Sequence, residues 1–418
     1  MRDWQTIHDD QTVVDWHTHL SLKTALFHRD LCKNQKRRLL SRGFYPFSSR
    51  ADFQKMIEGG VDISLSVAYV PEVEWQQDII PIGWLKWIFP KAHRRIFGAP
   101  TYFDAYIDAI NDVEEQVDRH NEINATQFWY REIRVCKNFS ELKQAKEDDA
   151  LAIVHAVEGG HALHGMEAGK TAEDWLYAGE DEVLTEAFVN LIDLKHRGVA
   201  YITLAHFYPN ILTGCVFPYP EHTRKLSRWQ DMLGRWEPNE GLTDIGRKVV
   251  QKIFELGMIV DVSHCTPLAR SQVYQIADSH GYKCQVIASH AGAYEINADQ
   301  YNLEDWEIRW ISDNGGVVSV ILMNYWLVPY ETGLGLNHIS RTLRHVTKVG
   351  GVQVASIGTD FDGFTDPPDD VENMTQLPRI TQRLASEYAD KGKPVYSDES
   401  LEMILGKNSM RVLREGWR

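Results

Sequence analysis

Short runs of apolar, largely β-branched residues recur along the chain at Thr12–Asp15, Ile63–Tyr69, Leu151–Val157, Ala200–Leu204, Met258–Val262, Gln285–Ser289, Gly316–Leu322 and Val354–Gly358. They are apolar nearly throughout instead of alternating, the pattern of parallel strands covered on both faces. Between several of them lie amphipathic helical stretches, at Tyr102–His120, Asp181–Leu194, Thr243–Leu256, Leu303–Asp313 and Leu401–Leu413. Strands and helices in this alternation predict an α/β fold of the (β/α)8 TIM barrel kind, as one domain over residues 1–418. No G-x-G-x-x-G follows the first run, which argues against a dinucleotide-binding open sheet. Two connections, 71–99 and 207–240, exceed ordinary loop length and follow strands, so they are expected to be long loops of the active face.

Polar residues sit where these apolar runs end. His17 and His19 close the first run, Glu158 the third, His206 the fourth, His264 the fifth, His290 the sixth and Asp360 the eighth. The carboxyl ends of barrel strands form the rim where catalytic groups gather. Any one of these residues alone is weak, since a histidine after an apolar strand is commonly structural. His155, His161 and His164 illustrate this and receive no role. Their recurrence on separate strands is what carries the inference. His17, His19, Glu158, His264 and His290 form a donor set suited to two divalent ions, zinc among them, with Glu158 able to bridge.

Such a pair of ions acidifies a shared water, and the resulting hydroxide attacks a carbonyl. Asp360, a rim carboxylate with no bridging duty, suits proton transfer, and His206 is placed to donate to the substrate oxygen. Asp362, in Asp360-Phe361-Asp362-Gly363, reads as a turn residue.

Composition narrows the partners. Lys plus Arg total 44 against 59 Asp plus Glu, a net charge of −15 that repels phosphate backbones and anionic lipid. Neither nucleic acid nor a membrane is an expected partner, and a small-molecule or peptide-like substrate is. The five cysteines are scattered without a C-x-x-C pair, and the first residues lack a signal-peptide pattern, so a cytoplasmic location is expected.

From about Thr12 onward the chain resembles the membrane (renal) dipeptidase family of the amidohydrolase superfamily. The likeness rests on Val157-Glu158-Gly159-Gly160-His161, Tyr201-Ile-Thr-Leu-Ala-His206, Gly241-Leu-Thr-Asp-Ile-Gly246, Asp261-Val-Ser-His264, Ser289-His290-Ala-Gly-Ala-Tyr294 and Gly358-Thr-Asp360-Phe-Asp-Gly363, in that order. The resemblance implies a barrel with a two-zinc centre: His17 and residue 19 on one ion, His264 and His290 on the other, and Glu158 between them. It also implies proton transfer by Asp360, substrate contact by His206, and a homodimer.

Two departures stand out. The family's His-x-Asp on the first strand is His17-x-His19 here, which makes the site about one charge more positive. The family also carries an arginine some ten residues after the strand-six histidine, where it holds a dipeptide's terminal carboxylate. That place is Tyr301, and no arginine lies between His290 and Arg309. A phenol does not replace a guanidinium fork. The expected activity is therefore zinc-dependent amide hydrolysis of dipeptidase type on a substrate other than an ordinary dipeptide. The same centre could act on a lactone, an ester or a cyclic amide, and a non-catalytic scaffold is the remaining alternative.

Overall fold

The structure, a computed structural model, describes residues 2–33, 49–72, 74, 99–127, 131–163, 179–219, 240–328, 335–363, 366–388 and 392–418. Most of the expected loop 71–99, the stretch 220–239 of the second loop and His164 lie outside the described residues.

Nine strands are present among the described residues: β1 (Val14–Thr18), β2 (Ile63–Ala68), β3 (Ile133–Val135), β4 (Leu151–Glu158), β5 (Tyr201–Thr203), β6 (Ile259–Asp261), β7 (Val286–Ala291), β8 (Val318–Ile321) and β9 (Ala355–Gly358). They run β1-β2-β4-β5-β6-β7-β8-β9 in one parallel sheet, with β3 paired to the start of β4. The expected (β/α)8 barrel is thus the observed fold. β9 returns to β1 through Asp360, whose amide donates to the His17 carbonyl at 2.8 Å, and through His19, whose amide donates to the Phe361 carbonyl at 2.9 Å. β3 was not expected, because three residues are too few to display a period.

Both faces of the strands are buried. Along β4, Leu151, Ile153 and Val157 join one apolar cluster while Ala152, Val154 and Ala156 join another. Alternate side chains on a strand point to opposite faces, so two buried faces need an unbroken apolar run.

The helices start where their sequences cap them. Thr243 accepts from the Gly246 amide ahead of Asp244–Glu255, and Thr266 accepts from the Ala269 amide ahead of Pro267–His280, with proline in the first turn. Glu304 and Glu307 form a capping box at Asp305–Asp313. The expected helix Leu401–Leu413 is divided into α-helix at Asp398–Glu402, one π turn at Met403–Lys407 and α-helix at Asn408–Gly416. Within that turn Gly406 lies against the backbone ahead of β1, where a Cβ would stand 2.1 Å from the Thr12 carbonyl oxygen. No described helix is long and apolar enough to cross a membrane.

Candidate metal centre

Glu158 ends β4, and its carboxylate, 1% exposed, sits at the centre of the barrel mouth. Its Oε1 lies 3.3 Å from His17 Nε2, 3.4 Å from His264 Nε2 and 3.4 Å from His290 Nε2. Its Oε2 lies 3.3 Å from His19 Nε2 and 3.5 Å from His206 Nε2. His17 and His19 face each other with Nε2 atoms 3.2 Å apart, and His264 and His290 do so at 2.9 Å. Residues from β1, β4, β6, β7 and the segments that follow them thus converge on one point. Asp360 joins them, with Oδ1 3.1 Å from His19 Nε2.

The outer nitrogens of the rings are fixed by a buried network. Tyr201 donates from its hydroxyl to the Trp16 carbonyl, and His17 Nδ1 lies 2.9 Å from that hydroxyl oxygen. Ser289 donates to Asp261 Oδ2 at 2.6 Å, and its oxygen lies 3.0 Å from His17 Nδ1 and 2.7 Å from His290 Nδ1. A hydroxyl that has given its proton to a carboxylate or carbonyl can only accept, so Nδ1 of both rings carries the hydrogen. Nε2 is then the lone-pair nitrogen, and it faces the Glu158 carboxylate.

Lone pairs aimed at lone pairs repel unless a cation lies between them. Among the described residues, neither Glu158 oxygen has an aligned hydrogen bond although five imidazole nitrogens surround it. The spacing suits ligation: bonds of about 2.0–2.1 Å to a tetrahedral ion put neighbouring ligand atoms about 3.3–3.4 Å apart. Two triads, His17–His19–Glu158 and Glu158–His264–His290, offer converging ligand atoms of this kind. Without an ion, protons take the role. Burial alone would raise the Glu158 carboxyl, but His206 and His17 outweigh it and hold it well below the usual carboxylate range. Burial also opposes a charge on His17, yet Glu158 outweighs it and raises His17.

Two site residues occupy strained backbone. His264 and Asp360 have φ of 64° and 54°, in the left-handed region, and Asp362 has φ of 64°. Each such residue costs about 1–3 kcal/mol. Buried carboxylates hold the strands around these turns. Asp15 accepts from the Thr359 amide at 2.8 Å and hydroxyl at 2.7 Å, joining β1 to the turn after β9. Asp261 accepts from the Ser289 amide at 2.8 Å and from Thr203 at 2.6 Å, joining β6 to β7 and β5. Asp362 belongs to the turn, as expected, but it also accepts from Lys23 at 2.6 Å, from Ser49 at 2.6 Å and from the Arg50 amide.

A small pocket opens onto the centre, walled by Phe207, Tyr301, Met323, Tyr325 and Trp326 beside His19, His206, His264 and Asp360. Tyr301 stacks on Trp326, and its hydroxyl donates to the His290 carbonyl at 2.9 Å. Among the described residues no lysine or arginine lines this pocket. A larger groove of ≈ 730 Å³, with Phe139, Lys143, Lys407 and Arg411, lies beside Gln11 and Thr12, ahead of β1 and away from the carboxylate cluster.

Sequence reasoning missed Asp15, Asp261, Tyr201, Ser289 and Glu72. The aspartates were legible as charges inside otherwise apolar runs, in Val14-Asp15-Trp16 and Val260-Asp261-Val262. Glu72 follows the second run, to which no rim residue had been assigned. Tyr201 carried no signal, since a tyrosine opening an apolar strand reads as core.

Comparison with known proteins bears on the family and the fold. The model of the membrane dipeptidase family, peptidase family M19, matches residues 179–416, more than half of the chain. That stretch holds His206, His264, His290, Tyr301 and Asp360, whereas His17, His19 and Glu158 precede it. An uncharacterized dipeptidase of Schizosaccharomyces pombe is 24% identical over 315 residues, 75% of this chain and 64% of its own length. This chain therefore spans less than two thirds of that relative. An uncharacterized protein from the pqqA 5′ region of Klebsiella pneumoniae is 25% identical over 289 residues, covering 68% of this chain and 90% of its own length. Among solved structures, a metallo peptidase from Rhodobacter sphaeroides, liganded with a phosphinate mimic of the dipeptide L-Ala-D-Ala, superposes with a TM-score of 0.67 at 18% identity. That superposition covers 97% of this chain and 99% of the other.

Proposed function

Because the chain belongs to the membrane dipeptidase family, we propose that it is a zinc-dependent hydrolase that cleaves an amide bond whose leaving side is neutral and apolar. The observation that carries this reading is the Glu158 carboxylate, ringed by imidazole Nε2 atoms at ligand–ligand spacing, those of His17 and His290 being lone-pair nitrogens, with no aligned donor among the described residues. His17, His19 and Glu158 would hold one ion, and Glu158, His264 and His290 the other. When bound, such ions supply an acidified water and Lewis acidity at the scissile carbonyl.

The chain's own groups supply the remainder. Asp360 takes the proton from the attacking water and returns it to the leaving amine, from a position 3.1 Å from His19 and at the mouth of the pocket. His206, whose Nε2 faces the same centre, donates to the carbonyl oxygen as it gains charge. Phe207, Tyr301 and Trp326 exclude water beside the reacting bond.

The aromatic wall supports a substrate without a terminal carboxylate. Burying an ionised carboxylate against Tyr301 and Trp326 without a cation is strongly unfavourable. The test is metal analysis of the purified protein together with a hydrolysis panel of free dipeptides, C-terminally blocked amides, esters and lactones. Stoichiometric metal and preferred cleavage of blocked amides is the expected result. Faster cleavage of free dipeptides would overturn the role given to Tyr301. Cleavage only of esters or lactones would reassign the bond, and a metal-loaded protein inert toward the whole panel would overturn hydrolysis.

A further inference from the structure

We propose that Glu72 is a positioning residue that acts through His206, fixing which ring nitrogen His206 presents to the substrate; this rests on the substrate-facing role given to His206 above. Glu72 lies just beyond β2 and is 4% exposed. Its Oε2 accepts from the Tyr69 hydroxyl at 2.7 Å, and its Oε1 accepts from the Phe207 amide at 3.1 Å. Two donors from different segments therefore set the plane of the carboxylate. The same Oε1 lies 3.3 Å from His206 Nδ1, while Nε2 on the other side of the ring lies 3.5 Å from Glu158 Oε2.

The ring has little freedom to turn elsewhere. It packs between Tyr69, at 4.1 Å between centroids, and Phe207, at 3.9 Å and 24° from parallel. His206 Nδ1 is buried and has no aligned hydrogen bond among the described residues. Glu72 Oε1, 3.3 Å away, is an acceptor within reach of it. Burial pushes the Glu72 carboxyl up, but His206, with His161 and the Tyr69 hydroxyl, outweighs this and holds it at about 2, so it stays ionised.

An ionised carboxylate only accepts, so the nitrogen opposite it must carry hydrogen. This fixes one ring orientation for His206, with Nδ1 donating to Glu72 and Nε2 turned to the centre; when Nε2 donates to the substrate oxygen the ring carries hydrogen on both nitrogens. Tyr69 and Glu72 have no atom in the pocket wall beside the reacting bond, so their effect on turnover is transmitted through His206. Carboxylate partners behind metal-ligating histidines typically change activity by ~10–100-fold when removed, and the same scale is expected for Glu72 behind His206.

The test compares wild type with Glu72→Gln, which keeps shape and removes charge. The probe is alanine p-nitroanilide, an amide with a neutral aromatic leaving group, and the companion readout is the ring ¹⁵N spectrum of His206, assigned by its loss in His206→Asn. Expected is a ~10–100-fold fall in kcat with KM, metal content and Tm little changed. Glu72→Asp should recover part of the loss, and in wild type Nδ1 of His206 should be protonated and that preference weakened in Glu72→Gln. Were Glu72→Gln to cost the same factor in a His206→Asn background, or to leave the His206 spectrum unchanged, the proposal would be overturned. If wild type does not cleave the anilide, the substrate reading fails while the ring spectrum still decides the role of Glu72. Should Glu72→Gln not fold, Tyr69→Phe, which removes only the phenol's hydrogen bond to Glu72, is read by the same two measurements.

Discussion

Tyr301 lies flat against Trp326, with ring centroids 4.2 Å apart and planes 10° from parallel, while its hydroxyl donates to the carbonyl of His290. Tyr301 is therefore bound into the wall of the pocket and tied to the backbone of a ligand candidate. Tyr301→Phe keeps the ring and leaves a buried carbonyl without this donor. A loss of about 1–3 kcal/mol in urea unfolding is expected, with the preference among blocked and free substrates retained. Unchanged stability would mean that the hydrogen bond has no net value.

Replacing Glu158 by Gln removes the one group shared by both ligand triads. An amide cannot bridge two cations with two anionic oxygens. Elemental analysis should find the bound metal reduced well below that of wild type. Equal metal content in the two proteins would remove Glu158 from the centre.

Asp360→Asn keeps the shape of the side chain and abolishes its basicity. A fall of ~10²–10⁴-fold in kcat is expected with metal still bound, since general acid–base catalysis contributes on that scale. Turnover at the wild-type rate would transfer the proton-handling role to another group.

Away from the metal ligands, Arg270 and Glu307 form a two-point ion pair at 2.6 and 2.9 Å, each side chain almost fully buried. Arg270 also donates to the carbonyls of Cys265 and Gln300, joining the segment after His264 to the loop that carries Tyr301. Arg270→Ala leaves a buried carboxylate without its partner, which costs about 3–5 kcal/mol. Denaturant unfolding measures it, and a change below 1 kcal/mol, roughly the value of a surface pair, would contradict the burial argument.

Acid stability should depend on Asp362. Burial raises its carboxyl, but Lys23 outweighs this and, with Ser49 and the Arg50 amide, holds it below the usual carboxylate range. A group whose folded pKa is depressed stabilises above its unfolded pKa, about 3.9 for aspartate, and loses that contribution as pH falls through the lower folded value. The stability gap between wild type and Asp362→Asn, both stripped of metal, should be largest above about pH 4 and close below it. A gap that persists unchanged into strong acid would show that the carboxylate charge is not the source.

Much of this was readable from the chain because its signals are local. Each strand had to be buried on two faces, so β1, β2 and β4 to β9 fall in or beside largely apolar runs, and a charge or imidazole that ends such a run announces a rim residue. His17, Glu158, His264, His290 and Asp360 were found this way. Glu72 was not, because Tyr69, Val70 and Pro71 separate it from β2 and its partner His206 is more than a hundred residues away. Tyr201 was not, because the reach of its hydroxyl to His17 exists only once β5 and β1 stand across the same barrel.

The sequence by itself determined the alternation of strands and helices, the barrel it closes into, and which acids and imidazoles reach the rim, since burial on both faces and capping act over a few residues. Only the tertiary structure decided which nitrogen of each ring faces Glu158, that Tyr301 is a wall and not a hook, and that Glu72 stands behind His206. Those facts depend on hydroxyls and carboxylates brought from distant segments, whose hydrogen bonds have a direction that no spacing along the chain records.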